Sequence, residues 1–136
     1  MTAPMLIETV PNVSEGRDPA LVHALAARCT AGGSRLLHVS SDPSHNRTVL
    51  TVAGPPGGVA AAMQALAAEA VRRIDLRSHE GVQPRVGAVD VMPFVPLAGA
   101  TMADAVALAR ETAFQIAEHL DVPVFLYEAA AAAPHR

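Results

Sequence analysis

Residues 35–53 have the sequence RLLHVSSDPSHNRTVLTVA. The segment 47–53 alternates along its length and is rich in valine and threonine, which is typical of a strand with one buried face. The segment 35–40 is a second, shorter strand candidate. The polar residues 41–46 between them include Asp42-Pro43, a pair that favours a turn. The stretch therefore predicts a β-hairpin built from the strands 35–40 and 47–53.

The N-terminal side of the hairpin predicts one strand and one helix. Residues 5–10 form the strand. Asp18 is a good N-cap and Pro19 suits the first helical turn. Apolar residues then recur at helical spacing until the pair at 32–33, two glycines, ends the helix.

The C-terminal side predicts two further helices and two further strands. An amphipathic helix over 59–74 follows a Gly- and Pro-rich break at 54–58. A strand over 86–95 comes next and is ended by prolines. Thr101 then caps a helix, and 123–127 forms the last strand.

The predicted order is β-α-β-β-α-β-α-β. This order predicts an α/β (α+β) plait, a ferredoxin-like split β-α-β with an extra helix and strand. One domain covers residues 1–128, and residues 129–136 form an alanine-rich tail that frays.

Composition limits the partners of the chain. The chain has 136 residues, a formal net charge of −3, 3% aromatic residues and no tryptophan, so it offers no basic patch or stacking platform for nucleic acid. Cys29 is the single cysteine, which favours a reducing compartment. No signal-peptide pattern and no apolar run of about 20 residues is present. We therefore expect a cytoplasmic protein that binds neither nucleic acid nor membrane.

The first polar loop, residues 12–17, directly precedes a predicted helix. Backbone N–H groups at a helix start can hold an anion, so Asn12, Ser14 and Glu15 are candidate substrate-binding residues. The alternative is that Ser14 and Asp18 simply cap the helix.

The second polar loop is the hairpin turn. Within residues 42–47 it holds an acid, an imidazole, an amide and a guanidinium. His45 is a candidate general base and Arg47 a candidate carboxylate clamp, with Asp42 and Asn46 as further substrate contacts. The alternative is an Asx-type turn with a surface salt bridge.

The third polar loop contains His79, Glu80, Gln83 and Arg85, and it leads into a strand that carries Asp90. A carboxylate in an otherwise apolar strand must be paired, so we expect Asp90 to be buried and either to lock a neighbouring loop or to position Arg85 or His79. The histidines and Glu80 lack the i, i+4 spacing of a helical zinc motif, so we expect no metal site.

Four motifs together are far more specific than any of these loops alone. They resemble, in the same order, motifs of the glutamate formiminotransferase (formimidoyltransferase) family. They are VPNVSEGR at 10–17, LLHVSSDPSHNRTV at 36–49, IDLRSHEG at 74–81 with PRVGAVDVMPF at 84–94, and LDVPVFLYE at 120–128.

The resemblance implies a small-molecule substrate and a folate partner. Members of the family transfer a formimino group between N-formiminoglutamate and tetrahydrofolate, and the folate lies between two related subdomains. This chain resembles the N-terminal subdomain. The resemblance therefore implies either a C-terminal subdomain outside this sequence or a homodimer that imitates the pair.

One departure from the family pattern concerns the proton carrier. The family's catalytic histidine precedes a Pro-Arg pair, and here that position is Gln83. A glutamine amide cannot accept and return a proton near neutral pH, whereas histidine has an ordinary pKa of about 6.5. His45 and His79 are the candidate substitutes, so Gln83, His45 and His79 are the candidate catalytic residues.

Three functions follow from these observations. The first is a diverged enzyme of specialised metabolism, which acts on another small molecule with Gln83 as a hydrogen-bond donor. The second is folate-dependent transfer of a formimino or formyl group. The third is a non-catalytic domain that binds a ligand or a partner.

Overall fold

The computed structural model describes residues 5–74, 89–91 (backbone only) and 93–120. The strands are β1 (Ile7–Thr9), β2 (Asn12–Val13), β3 (Arg35–Asp42), β4 (Arg47–Gly54), β5 (Val89–Val91) and β6 (Phe94–Pro96). The helices are α1 (Pro19–Arg28), α2 (Pro56–Arg73) and α3 (Met102–Leu120), with a short 3-10 turn at Ala31–Gly33.

The described strands form one antiparallel sheet. β4 pairs with β3 on one side and with both β1 and β2 on the other. On their far side, β1 pairs with β6 and β2 pairs with β5. β1 and β2 thus act as one interrupted strand, flanked by a second interrupted strand made of β5 and β6. This is the strand arrangement of the predicted split β-α-β plait. The predicted hairpin is confirmed as β3 and β4.

The predicted strand 86–95 departs from the structure in one respect. Its described part is divided into β5 and β6, which pair with different partners. The division falls at Pro93, whose carbonyl oxygen accepts hydrogen bonds from the Val10 N–H and the Thr9 hydroxyl. Proline has no N–H to donate to a ladder, so the strand is interrupted there.

The predicted start of the second helix was too late in the chain. α2 begins at Pro56, so Gly57 and Gly58 belong to its first turn and do not break the chain. Proline suits this position because its missing N–H would have no helical partner. Gly58 is required for packing, since a Cβ there would lie 2.6 Å from the Gly32 carbonyl oxygen.

The predicted starts of α1 and α3 are confirmed by their caps. The Asp18 carboxylate accepts the N–H groups of Ala20 and Leu21 at 3.0 and 3.3 Å. Thr101 and Asp104 form a reciprocal capping pair, in which each backbone N–H is bonded to the other's side chain. The predicted last strand, 123–127, and the alanine-rich tail lie outside the described residues.

All three described helices contribute to one apolar core on one face of the sheet. The core joins buried strand residues such as Ile7 and Leu50 to Leu25, Leu66 and Leu108 of the three helices. Cys29 also lies in this core, and burial raises the pKa of its thiol to about 12. That thiol is therefore not a nucleophile at neutral pH. In the described ranges, no helix is long and apolar enough to cross a membrane.

Glu69 is a buried carboxylate that holds α1 to the end of α2. It contacts the guanidinium groups of Arg72 at 2.8 Å, Arg73 at 3.2 Å and Arg28 at 3.2 Å. Hydrogen bonding from Arg72, followed by that from Arg73, lowers the pKa of Glu69 from 4.5 to about 2. Its stabilising contribution is thus fully present above pH 4.5 and is lost as the pH falls through about 2.

We expect the Glu69→Gln variant to be less stable than the wild type at neutral pH, with a gap that closes as the pH falls from 4.5 toward 2. Denaturant unfolding at a series of pH values measures the gap. The exposed Glu118→Gln variant is the control, and it should follow the wild type throughout. A gap for Glu69→Gln that does not change with pH would refute the role of the ionised carboxylate.

Candidate functional site

The loop before α1 and the hairpin turn form one hydrogen-bonded unit, which we call the loop–turn cluster (residues 14–18 and 41–48). The Gly16 N–H donates to the Asn46 side-chain oxygen at 2.8 Å. The Arg17 guanidinium donates to the carbonyl oxygens of Pro43 at 2.7 Å and Ser44 at 3.4 Å. The structure therefore brings together two of the three polar loops, which are separated by about one helix and one strand in the chain.

Two hydroxyl groups add hydrogen bonds within the same cluster. The buried Thr48 hydroxyl donates to the Glu15 carbonyl oxygen and lies 2.9 Å from the Ser41 hydroxyl. The Glu15 carboxylate accepts the N–H groups of Arg17 and Asp18, both at 2.8 Å. The cluster is thus held by backbone and side-chain contacts on both of its segments.

Gly16 is buried where the loop meets the turn, and its position leaves no room for a side chain. A Cβ there would lie 2.5 Å from the Arg47 carbonyl oxygen, 2.6 Å from the Arg47 nitrogen and 2.8 Å from the Asp42 carbonyl oxygen. All three neighbours are backbone atoms, so a larger residue must push the two segments apart.

We expect Gly16→Ala to lower the free energy of unfolding by about 1–3 kcal/mol, the usual cost of overpacking. Gly57→Ala is the matched control, because a Cβ at Gly57 meets no atom within 4 Å and alanine favours the helix. Denaturant melts of both variants give the comparison. Equal stability of the two variants would show that the loop and the turn do not need this close approach.

The turn presents a carboxylate–imidazole pair. The Asp42 Oδ2 lies 2.6 Å from the His45 Nδ1, and the Asp42 Oδ1 accepts the N–H groups of Ser44 at 3.0 Å and His45 at 3.4 Å. The hydrogen bond from His45 lowers the pKa of Asp42. Asn46 follows at φ 51°, a left-handed conformation that asparagine tolerates. The turn is therefore an Asx turn, which the sequence indicated as the alternative to a substrate-binding site. It also holds the exposed His45 imidazole in a fixed orientation.

Several polar side chains share the sheet face opposite the helical core. Strand register places Asn12 beside Val49, and Arg47 beside Asp42, on this face. His38 and Ser40 of β3 lie on the same face by register. Asn12 and Arg47 are half-buried, whereas Asp42, His38 and Ser40 are exposed. In the described ranges, no helix packs on this face, which we call the open face.

Other predicted site residues have different surroundings. Ser14 is buried in the cluster, and the Glu15 carboxylate is bonded to the loop backbone. Their roles in substrate binding, like those of Asn12, Asp42, Asn46 and Arg47, stay predictions. Sequence reasoning gave no role to Arg17 or Thr48, because their partners are distant in the chain and no local pattern reveals them.

The third predicted loop lies outside the described residues. This applies to His79, Gln83 and Arg85, and also to the side chain of Asp90. The first described residue after that loop is Val89, which pairs with Val13 beside the loop–turn cluster. Among the described residues, no group of three or more histidine, cysteine, aspartate or glutamate side chains is arranged to hold a metal ion.

A groove of about 580 Å³ lies between α1 and β3 on the helical side of the sheet. Most of its walls are apolar, with Val22 and Ala26 on one side and Leu36 and Val39 on the other. It offers few groups to a charged substrate. The acid, base and guanidinium groups lie instead at the loop–turn cluster and on the open face.

Comparisons with known proteins agree with this architecture. Residues 6–136 match the formiminotransferase domain, N-terminal subdomain. The chain is 42% identical over 132 residues to the formimidoyltransferase-cyclodeaminase of Rattus norvegicus. This match covers 96% of this chain and 24% of that protein. It is 39% identical to the glutamate formimidoyltransferase of Streptococcus pyogenes serotype M1 and 43% identical to that of Thermoplasma acidophilum. These two matches cover 96% of this chain and 44% of each relative.

The chain thus spans less than half the length of the curated relatives it matches. The match nevertheless extends over nearly all of its residues, including both segments of the loop–turn cluster. The chain therefore belongs to the formiminotransferase family, of which it contains the N-terminal subdomain.

Proposed function

We propose that this domain supplies one half of a small-molecule transferase site in which His45 carries the proton. The observation that carries the proposal is the Asp42–His45 pair, with 2.6 Å between Oδ2 and Nδ1, held on the loop–turn cluster at the rim of the open face. A carboxylate–imidazole pair of this kind orients a general base.

Gln83 supports a reaction that has diverged from that of the relatives. An amide at this position donates and accepts hydrogen bonds but does not titrate, so it is suited to hold a substrate carbonyl or imine group. On this proposal the chain acts on a different small molecule in specialised metabolism, with His45 as the acid–base group and His79 as the alternative.

Formimidoyl transfer is the second candidate, because the names of the relatives at about 40% identity favour it. Here N-formiminoglutamate would be the donor and tetrahydrofolate the acceptor. The open face fits these molecules in kind: the half-buried Arg47 suits a carboxylate, and the Asn12 amide suits the polar edge of a pterin ring.

The site needs a second body in either case. The family resemblance implies a ligand between two subdomains, and we propose that the open face supplies one wall. We propose that a C-terminal subdomain outside this sequence or a second copy of the chain supplies the other. A two-fold dimer is the commonest small assembly and would put two open faces together.

The experiment that tests the proposal is a turnover assay of the purified chain with N-formiminoglutamate and tetrahydrofolate, run beside the Gln83→His variant. Slow wild-type turnover that the variant accelerates supports the diverged enzyme. Rapid wild-type turnover supports the second candidate. Absence of turnover in both proteins, together with measurable ligand binding, would rule out formimidoyl transfer by this chain and favour a binding domain.

A further inference from the structure

The proton positions of the Asp42–His45 pair follow from the chemistry of the two groups. An ionised carboxylate only accepts hydrogen bonds, so the nitrogen that lies 2.6 Å from the Asp42 Oδ2 must carry a proton. That nitrogen is the His45 Nδ1. In the neutral imidazole, the lone pair is then on Nε2.

Asp42 is itself fixed by contacts that do not involve the imidazole. Its Oδ1 accepts two backbone N–H groups of the turn, from Ser44 and His45. Its Oδ2 is therefore aimed by the turn backbone. The hydrogen bond between the two side chains also lowers the pKa of Asp42, so that this group remains a carboxylate through the neutral range.

The turn itself is held by hydrogen bonds from the loop that precedes α1. Arg17 binds the carbonyl oxygens of Pro43 and Ser44, and Asn46 binds the Gly16 N–H. A mobile surface ion pair is worth little, because ordering two side chains offsets the attraction. Here the backbone that carries both side chains is already ordered by a second loop, so less of that cost remains.

We propose that Asp42 is a positioning residue, which holds His45 in the tautomer with the proton on Nδ1 and so presents Nε2 as the proton acceptor. The role in turnover rests on the proposed function, whereas the tautomer does not. Arg17 acts one step further out, because it holds the turn that aims Asp42.

The tautomer is measured by two-bond ¹H–¹⁵N correlation spectra of the imidazole, recorded on the intact chain at a mildly alkaline pH, where imidazole groups are neutral. We expect wild-type His45 to be mainly protonated at Nδ1. The Asp42→Ala variant removes the acceptor, so the proton should move mainly to Nε2. The control is Asp104→Ala, which removes another capping aspartate and should leave the His45 spectrum unchanged.

Two results would overturn the inference: a wild-type imidazole protonated mainly at Nε2, or the same tautomer in wild type and Asp42→Ala. A second variant, Arg17→Gln, keeps Asp42 and removes a contact that holds the turn, so it separates loss of the acceptor from disorder of the turn. It should loosen the turn and yield a mixture of tautomers, while a wild-type spectrum would remove Arg17 from the proposal.

Turnover provides a separate readout. Asp42→Ala should lower kcat more than it raises KM, by at most the loss of a general base, about 10²–10⁴-fold. A switched tautomer with unchanged kcat would overturn the positioning role. If the wild type shows no turnover at all, the proposed function fails. The tautomer result still shows whether Asp42 holds His45 with the proton on Nδ1.

Discussion

Replacing Gln83 with histidine is expected to raise the rate of formimidoyl transfer from N-formiminoglutamate to tetrahydrofolate by about 10²–10⁴-fold. The physical reason is the pKa of the side chain at that position. Imidazole has an ordinary pKa of about 6.5, so it accepts and returns a proton at neutral pH, whereas an amide does neither.

The matched control is Gln83→Asn, which keeps an amide and adds no titrating group. It should not raise the rate above that of the wild type. The glutamate formimidoyltransferase of Streptococcus pyogenes, assayed in parallel, gives the scale. Wild-type turnover equal to that enzyme, or equal gains in both variants, would mean that residue 83 is not the missing base.

Much of the fold was accessible from sequence because its signals are local. The alternation over 47–53 and the Asp42-Pro43 turn predicted the hairpin that became β3 and β4. Asp18 and Thr101 predicted helix starts because a cap is a contact over two or three residues. The split β-α-β order followed from these elements.

The misplaced boundaries share a different cause, which is tertiary packing. Glycines at 57 and 58 suggested a break, yet both are helical, and residue 58 is glycine because the Gly32 carbonyl leaves no room for a side chain. The strand 86–95 seemed continuous in sequence, but Pro93 marks the point where the chain changes partner from β2 to β1. Neither the close approach at Gly58 nor the change of partner strand can be read from a local sequence pattern.

The sequence named candidate residues for a site, whose roles stay predictions, but it did not indicate which loops would meet. The motifs singled out Asn12, Asp42 and His45, and each lies at the loop–turn cluster or on the open face. The loop–turn cluster depends on hydrogen bonds of Arg17 and Asn46 to residues that lie 26 to 30 positions away in the chain. Such pairs need the fold, because nothing in the local sequence states which loops will meet.

Replacing His45 with glutamine is expected to lower the residual transfer activity of the wild type by about 10²-fold or more, the lower end of what a general base contributes. Glutamine keeps an N–H group that can donate to Asp42, but it cannot take a proton. The matched control is His23→Gln, since His23 is an exposed histidine on α1 and not part of the loop–turn cluster.

The decisive measurement is a double-mutant cycle with residue 83, because two groups that serve one proton-transfer step are not additive. In the Gln83→His background the new imidazole takes the proton, so His45→Gln should then cost little. The coupling between the two substitutions would assign both side chains to the same step. An equal loss in both backgrounds would instead show that His45 contacts the substrate or supports the turn, and the role of proton carrier would pass to His79.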